Sequence, residues 1–237
     1  MKALFVEVKY KGKVELTTEL FDKLPSIVVL CSNIQYLDFL ASVRLKLEAA
    51  GKTVILFKSR HGQYPGQILG CDVFKFEAKL DNSDEVLTDG YGFLYLGDGL
   101  FHPTALLFRN EMPVIMYEPR GKKVTVLDQS YLGRLKKQKN ARLAKFIESK
   151  NIGILVTRKP GQNQNRPVEQ FRSAMANRGK NILVFLTDNI NFMKLEDFNC
   201  VDSWVNTGCP RIVQDFNCVN LRDLKEIGFF SSEKMVF

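Results

Sequence analysis

The feature that most constrains the fold is an internal repeat. From Ser26 the chain reads SIVVLCSN, then a stretch with Leu37, Leu40, Ala41, Val43, Leu45 and Leu47 at three- and four-residue intervals, then Gly51-Lys52 and the apolar run TVILF. This spacing predicts a strand, a helix over 34–50 and a second strand, with Gly51 ending the helix in the left-handed region. The same order returns in the second half as IGILVTRK, a helix from Pro167 to Asn177, Gly179-Lys180 and NILVFL. Pro suits a first helical turn, and Gly suits a helix end. The apolar runs do not alternate with polar residues, so both faces of each strand are buried, as in a parallel sheet covered by helices. The expectation is an α/β protein with two related Rossmann-like domains and mainly parallel sheets, divided as residues 1–130 and 131–237.

Further strands are predicted in GFLYLGDG (92–99), PVIMYEP (113–119) and SWVNTGCPRI, with a candidate strand in ALFVEV near the start and a C-terminal helix and arm over 223–237. Ligands of such sheets gather beyond the carboxyl ends of the strands, where GDGLFHP, TRKPGQ and NTGCPR would all sit. The run RLKKQKNARLAK (134–145) carries much of the net charge of +8. Leu135, Ala141, Leu143, Phe146 and Ile147 give it one apolar side, so it reads as a basic amphipathic helix entering the second domain. No aromatic platform accompanies its charge, and nucleic acid is not the expected partner.

The N-terminus has Lys2, Lys9, Lys11 and Lys13 among its apolar residues. It lacks a signal-peptide core, and no later apolar run is long enough for a bilayer, which predicts a cytoplasmic chain away from membranes. Five cysteines, at 31, 71, 200, 209 and 218, are an odd set without CxxC or CxxxCxxC spacing. That pattern excludes a disulfide scaffold and any self-contained zinc or ferredoxin motif. A cluster would have to be assembled from distant segments. Cys71 follows two glycines and a proline in YPGQILGC, a backbone-rich setting whose amides could donate to cluster sulfurs. Cys209 follows a glycine and precedes Pro210 and Arg211, whose guanidinium would favour a thiolate. Cys31 reads as a buried strand residue, and Cys200 and Cys218 as structural. GDGLFHP lacks the GK[ST] ending of a phosphate loop.

Taken in order, YPGQILGC, GDGLFHP, TRKPGQ, Asp188-Asn189 and NTGCPRI resemble the second and third domains of the diphthamide synthase family of archaea and eukaryotes. The resemblance covers nearly the whole chain. It implies a 4Fe-4S cluster held by one cysteine from each of three related domains, two of them here Cys71 and Cys209. It also implies S-adenosyl-L-methionine, cleaved so that a 3-amino-3-carboxypropyl radical adds to a histidine of elongation factor 2, the first step of diphthamide biosynthesis. Gln35, His102, Gln162 and Arg211 fall at motif positions lining the family's cofactor side, with Arg211 suited to the cofactor carboxylate. The chain begins where the family's second domain begins. The expectation is therefore a transferase subunit that needs a separate chain for the missing domain and third cysteine, or a homodimer. The alternative is a noncatalytic family member that supports a catalytic partner or binds elongation factor 2.

Overall fold

The computed structural model describes residues 6–59, 62–70, 76, 78–79, 86–87, 90–110, 112–159, 165–210 and 212–230. The chain divides into two compact units, Met1–Arg134 and Leu135–Phe237.

In the first unit, α1 (Thr18–Lys23) precedes β1 (Ile27–Ser32), α2 (Leu40–Ala49) and β2 (Thr53–Ile55). A short hairpin of β3 (Ala78–Lys79) and β4 (Val86–Leu87) leads to β5 (Tyr91–Leu96), α3 (Phe101–Asn110), β6 (Val114–Glu118) and β7 (Lys123–Leu127). The main sheet has the order β2-β1-β5-β6-β7, parallel except for β7. β1 and β5 are buried along nearly their whole length, which is why their sequences are apolar without alternation. On one face Val28, Leu30, Leu94 and Leu96 pack with Leu40, Val43 and Leu47 of α2. On the other, Val29, Cys31, Phe93 and Tyr95 pack with Leu106 and Leu107 of α3.

The long helix α4 (Gln129–Glu148) carries the basic run and leads into β8 (Asn151–Thr157), α5 (Asn165–Ala176), β9 (Asn181–Thr187), α6 (Phe192–Leu195), β10 (Ser203–Asn206), α7 (Ile212–Asp215), β11 (Cys218–Asn220) and α8 (Leu221–Glu226). The second sheet is wholly parallel, in the order β11-β10-β8-β9. One face packs Ile152, Ile154, Val156 and Val205 against Val168, Phe171 and Met175 of α5 and Leu221 and Leu224 of α8. On the other face Trp204 lies against Gly153, where a Cβ would come within 2.5 Å of the indole. The α/β class and the mainly parallel sheets are as expected from the repeat.

Four expectations need correction. β9, read from NILVFL as buried on both faces, is an edge strand with no residue fully buried, because no further strand pairs beyond it among the described residues. The first repeat helix begins at Leu40, after a single 3-10 turn over Leu37–Phe39. The Asn33 side chain accepts the Gln35 amide at 3.1 Å, an Asx turn that holds the chain after β1 out of helical conformation. Val6 to Val8 form no strand, and the rest of ALFVEV lies outside the described residues. The C-terminal helix runs over Leu221–Glu226, and residues 231–237 lie outside the described residues. Among the described residues, no helix is long and apolar enough to cross a membrane.

Candidate functional site

Sheet topology singles out one crevice in each unit. In the first, β1 connects through α2 to β2 on one side, while β5 connects through α3 to β6 on the other. The chain thus changes direction between β1 and β5, and a crevice opens at their carboxyl ends, where open α/β sheets take ligands. Gln35 follows β1 and His102 opens α3 just after β5, so both belong to this crevice. Gln35 is exposed, and its carbonyl accepts the Tyr10 amide at 2.8 Å. His102 is half-buried and stacks on Tyr95, with centroids 5.8 Å apart and an interplanar angle of 13°.

The segment before Cys71 is anchored at the same place. Ser32, the last residue of β1, donates its amide to the Gly66 carbonyl at 2.8 Å and accepts the Ile68 amide at 2.9 Å. Its hydroxyl donates to the Leu96 carbonyl at 2.8 Å, fastening the ends of β1 and β5 together. Gly66 has φ +77°, and a Cβ there would stand 2.4 Å from Leu40, so the turn requires glycine. Gly70 lies so close to the Phe101 ring that a Cβ would meet it at 2.0 Å. Beyond the cysteine, the Phe76 amide donates to Asn110 of α3 at 2.5 Å. Cys71 itself lies outside the described residues, as do Gln162 and Arg211.

Among the described residues, the Tyr95 hydroxyl, Asp98 Oδ1 and the Thr104 hydroxyl are buried near this crevice with no hydrogen-bond partner of normal geometry. Each such atom costs about 1–3 kcal/mol when left unsatisfied. Burial, followed by a hydrogen bond to Asp98, pushes the Tyr36 hydroxyl up to about 12. The crevice therefore has spare hydrogen-bonding capacity of the kind a polar cofactor uses. The sequence does not single out Tyr95 or Thr104, because a Tyr in an apolar strand and a Thr in a helix carry no local signal.

In the second unit the change of direction falls between β8 and β10. Arg158 follows β8, Asp188 follows β9 and Cys209 follows β10. Arg158 holds Asp188 with two hydrogen bonds of 2.9 and 2.5 Å, and this keeps the Asp188 carboxyl below its ordinary value. Thr207 donates both its amide and its hydroxyl to the Leu155 carbonyl, at 3.2 and 2.9 Å, which fixes the start of the NTGCP turn over β8. Cys209 is half-buried in that turn.

The other described thiols differ in setting. Cys31 is fully buried between β1 and β5, donates to the Leu94 carbonyl, and has its thiol pushed up by desolvation. Cys218 is buried at the start of β11 and pushed up to about 12 for the same reason. Cys200 is exposed in a turn. A thiolate is the ligating form of cysteine, so Cys31 and Cys218 are poor candidates, in keeping with their reading as core residues. Cys209, half-buried and at a crevice, lacks that obstacle. Among the described residues, no three His, Cys, Asp or Glu side chains converge as a metal site.

Each unit is thus a mainly parallel α/β sheet with a crevice at the carboxyl ends of its strands and a cysteine-bearing loop in its sequence. Residues 1–218 match the family described as "Putative diphthamide synthesis protein", and the chain belongs to that family. It is 25% identical over 194 residues to the 2-(3-amino-3-carboxypropyl)histidine synthase of Pyrococcus horikoshii, covering 81% of this chain and 53% of that protein. It is 26% identical over 220 residues to subunit 1 of the Gallus gallus enzyme, covering 91% and 50%. The chain thus spans about half the length of these relatives. Two crystal structures of Dph2 from Pyrococcus horikoshii share its fold. The one with a 4Fe-4S cluster has a TM-score of 0.69 and 23% identity over 87% of this chain and 58% of that one. The other has a TM-score of 0.72 and 22% identity over 94% and 65%.

Proposed function

We propose that this chain is a subunit of a 3-amino-3-carboxypropyl transferase that modifies a histidine of elongation factor 2 with S-adenosyl-L-methionine as donor. The supporting observation is the position of Cys209, half-buried in a braced turn at the topological crevice of its sheet, in a chain whose relatives are 2-(3-amino-3-carboxypropyl)histidine synthases. In this reading Cys71 and Cys209 each give a thiolate to a 4Fe-4S cluster, and a separate chain, or a second copy of this one, completes the ligand set. When bound, the cluster supplies the electron that cleaves the sulfonium on its aminocarboxypropyl side. The chain's own residues do the rest. Arg211 pairs with the cofactor carboxylate. Gln35, His102 and Gln162 line the cofactor side, and Tyr95, Asp98 and Thr104 offer further hydrogen bonds there.

The second reading is a noncatalytic member that supports a catalytic partner or binds elongation factor 2. It is favoured by the two cysteines, Cys71 and Cys209, at the motif positions of the resemblance, one fewer than a three-cysteine site needs. Anaerobic reconstitution separates the two. The transferase reading expects little iron and no transfer for the chain alone. With a partner domain bearing one cysteine, it expects a stoichiometric cluster and transfer of labelled aminocarboxypropyl group to elongation factor 2, both lost in Cys209→Ala. Iron content and transfer indifferent to Cys209→Ala would establish the noncatalytic reading. A full cluster and full activity in the chain alone would overturn the need for a second chain.

A further inference from the structure

We infer that Asn206 and Asn220, one at the end of each of two neighbouring parallel strands, are positioning residues that hold the Cys209 loop in its ligating shape. The inference rests on the reading of Cys209 as a cluster ligand for its purpose, though not for its geometry. Asn206 and Asn220 are register partners across β10 and β11, so their side chains meet at the carboxyl edge of the sheet. There Asn206 Nδ2 donates to Asn220 Oδ1 at 2.8 Å and to the Cys209 carbonyl at 2.9 Å. Asn206 Oδ1 accepts the Gly208 amide at 2.9 Å. Asn220 Nδ2 reaches the Pro210 carbonyl at 3.4 Å. The three consecutive residues Gly208, Cys209 and Pro210 are thus each tied through the backbone to one asparagine pair.

The residue type is dictated by this pattern. A backbone amide can only donate and a backbone carbonyl can only accept, so the side chain between them must present an acceptor and two donors at once. Asparagine does this with one planar group, whereas Asp lacks the donors and Ser or Thr lacks the second arm. The orientation of the Asn206 amide is fixed by the same logic. Asn206 is 1% exposed, so these bonds replace water entirely and cannot be exchanged for it. The Ile212 amide adds a further bond to the Cys209 carbonyl at 3.1 Å, and the Pro210 ring fixes the next φ. With its carbonyl turned into this network, Cys209 keeps one backbone orientation and stays half-buried in the turn rather than folding into the core. A ligand contributed to a centre shared by several units has to be preorganised in this way, because its own unit supplies no other ligand to hold it.

The test uses the full chain and three variants, Asn206→Ala, Asn206→Asp and Asn220→Ala. Cys209 alkylation by iodoacetamide is followed by mass spectrometry with the exposed Cys200 as internal reference, alongside hydrogen exchange at Gly208 and the melting of the chain. The expected result is a several-fold change in the Cys209-to-Cys200 labelling ratio and at least tenfold faster Gly208 exchange in Asn206→Ala. Asn206→Asp should retain the Gly208 protection while losing the hold on the Cys209 carbonyl. Asn220→Ala, at a less buried position, should give a smaller change in the same direction with the melting transition retained, and so covers the case in which Asn206→Ala does not fold. Unchanged labelling and exchange in Asn220→Ala and in whichever Asn206 variants fold would overturn the inference. The role of Cys209 is read separately, by the thiolate charge-transfer absorption of added cobalt(II). If Cys209→Ala leaves that absorption intact, the ligand reading fails while the positioning of the loop can still stand.

Discussion

Placing a methyl group on Gly70 tests how the segment leading to Cys71 is seated. The new Cβ would stand 2.0–2.1 Å from two atoms of the Phe101 ring, far inside van der Waals contact, so the ring must leave its place. Phe101 is half-buried and stands edge-on to His102 at 5.5 Å. Expelling the ring forfeits about 1 kcal/mol of burial, half the value for a fully buried large side chain. It also forfeits roughly 0.5–1 kcal/mol of aromatic contact. Gly70→Ala should therefore destabilise the first unit by about 1.5–2 kcal/mol, which lowers the melting temperature of a unit this size by roughly 5–8 °C. The single tryptophan, Trp204, belongs to the second unit, so its fluorescence is an internal control that should not move. Circular dichroism should register the shift. In a Phe101→Ala background the added methyl meets no ring and should cost less than about 0.5 kcal/mol, a coupling above 1 kcal/mol between the two positions. Additive effects, or a shifted tryptophan transition, would refute the packing argument.

Thr104→Val removes a buried hydroxyl without a partner while keeping its shape, so the free chain should be unchanged or more stable by up to about 1 kcal/mol; a loss larger than that in denaturant melts would mean the hydroxyl is bonded. Gly153→Ala would press a methyl into the Trp204 indole at 2.5 Å and the Val201 side chain at 3.0 Å, and is expected to cost the second unit roughly 1–3 kcal/mol, read directly by tryptophan fluorescence. In folded protein at pH 8, Cys200 and Cys209 should be alkylated while Cys31 and Cys218 resist, their thiols being buried and raised; rapid labelling of Cys31 in the native state would contradict its place between β1 and β5.

The two repeats were legible because each rests on local patterning, apolar strands and helical spacing ended by Gly51 and Gly179. What escaped depends on contacts distant in sequence. The helix over 34–50 loses its first turn to the Asn33 side chain, a competition that hydrophobic spacing does not register. β7 gives a weak signal because it is a half-exposed edge strand reached through a turn that puts Lys122 at φ 50°. At the candidate site, Cys209 could be singled out from its turn, but Asn206 and Asn220 are fourteen residues apart and become partners only when β10 and β11 take their register. The unpartnered hydroxyls of Tyr95 and Thr104 likewise become notable only once the sheet and α3 have buried them.

The strand that ends the second sheet has a practical consequence. β9 reads NILVFLT, seven residues without charge or proline, and beyond it no further strand pairs among the described residues. Leu183 and Val184 point to opposite faces, yet they are 41% and 46% exposed, and Leu186 is 61% exposed. Uncharged apolar borders of this kind template intermolecular strand addition, and this strand carries no lysine of its own to deter it. In concentrated preparations this border, rather than melting of either core, should set the solubility ceiling, and a lysine at Leu186 is the economical place to raise it.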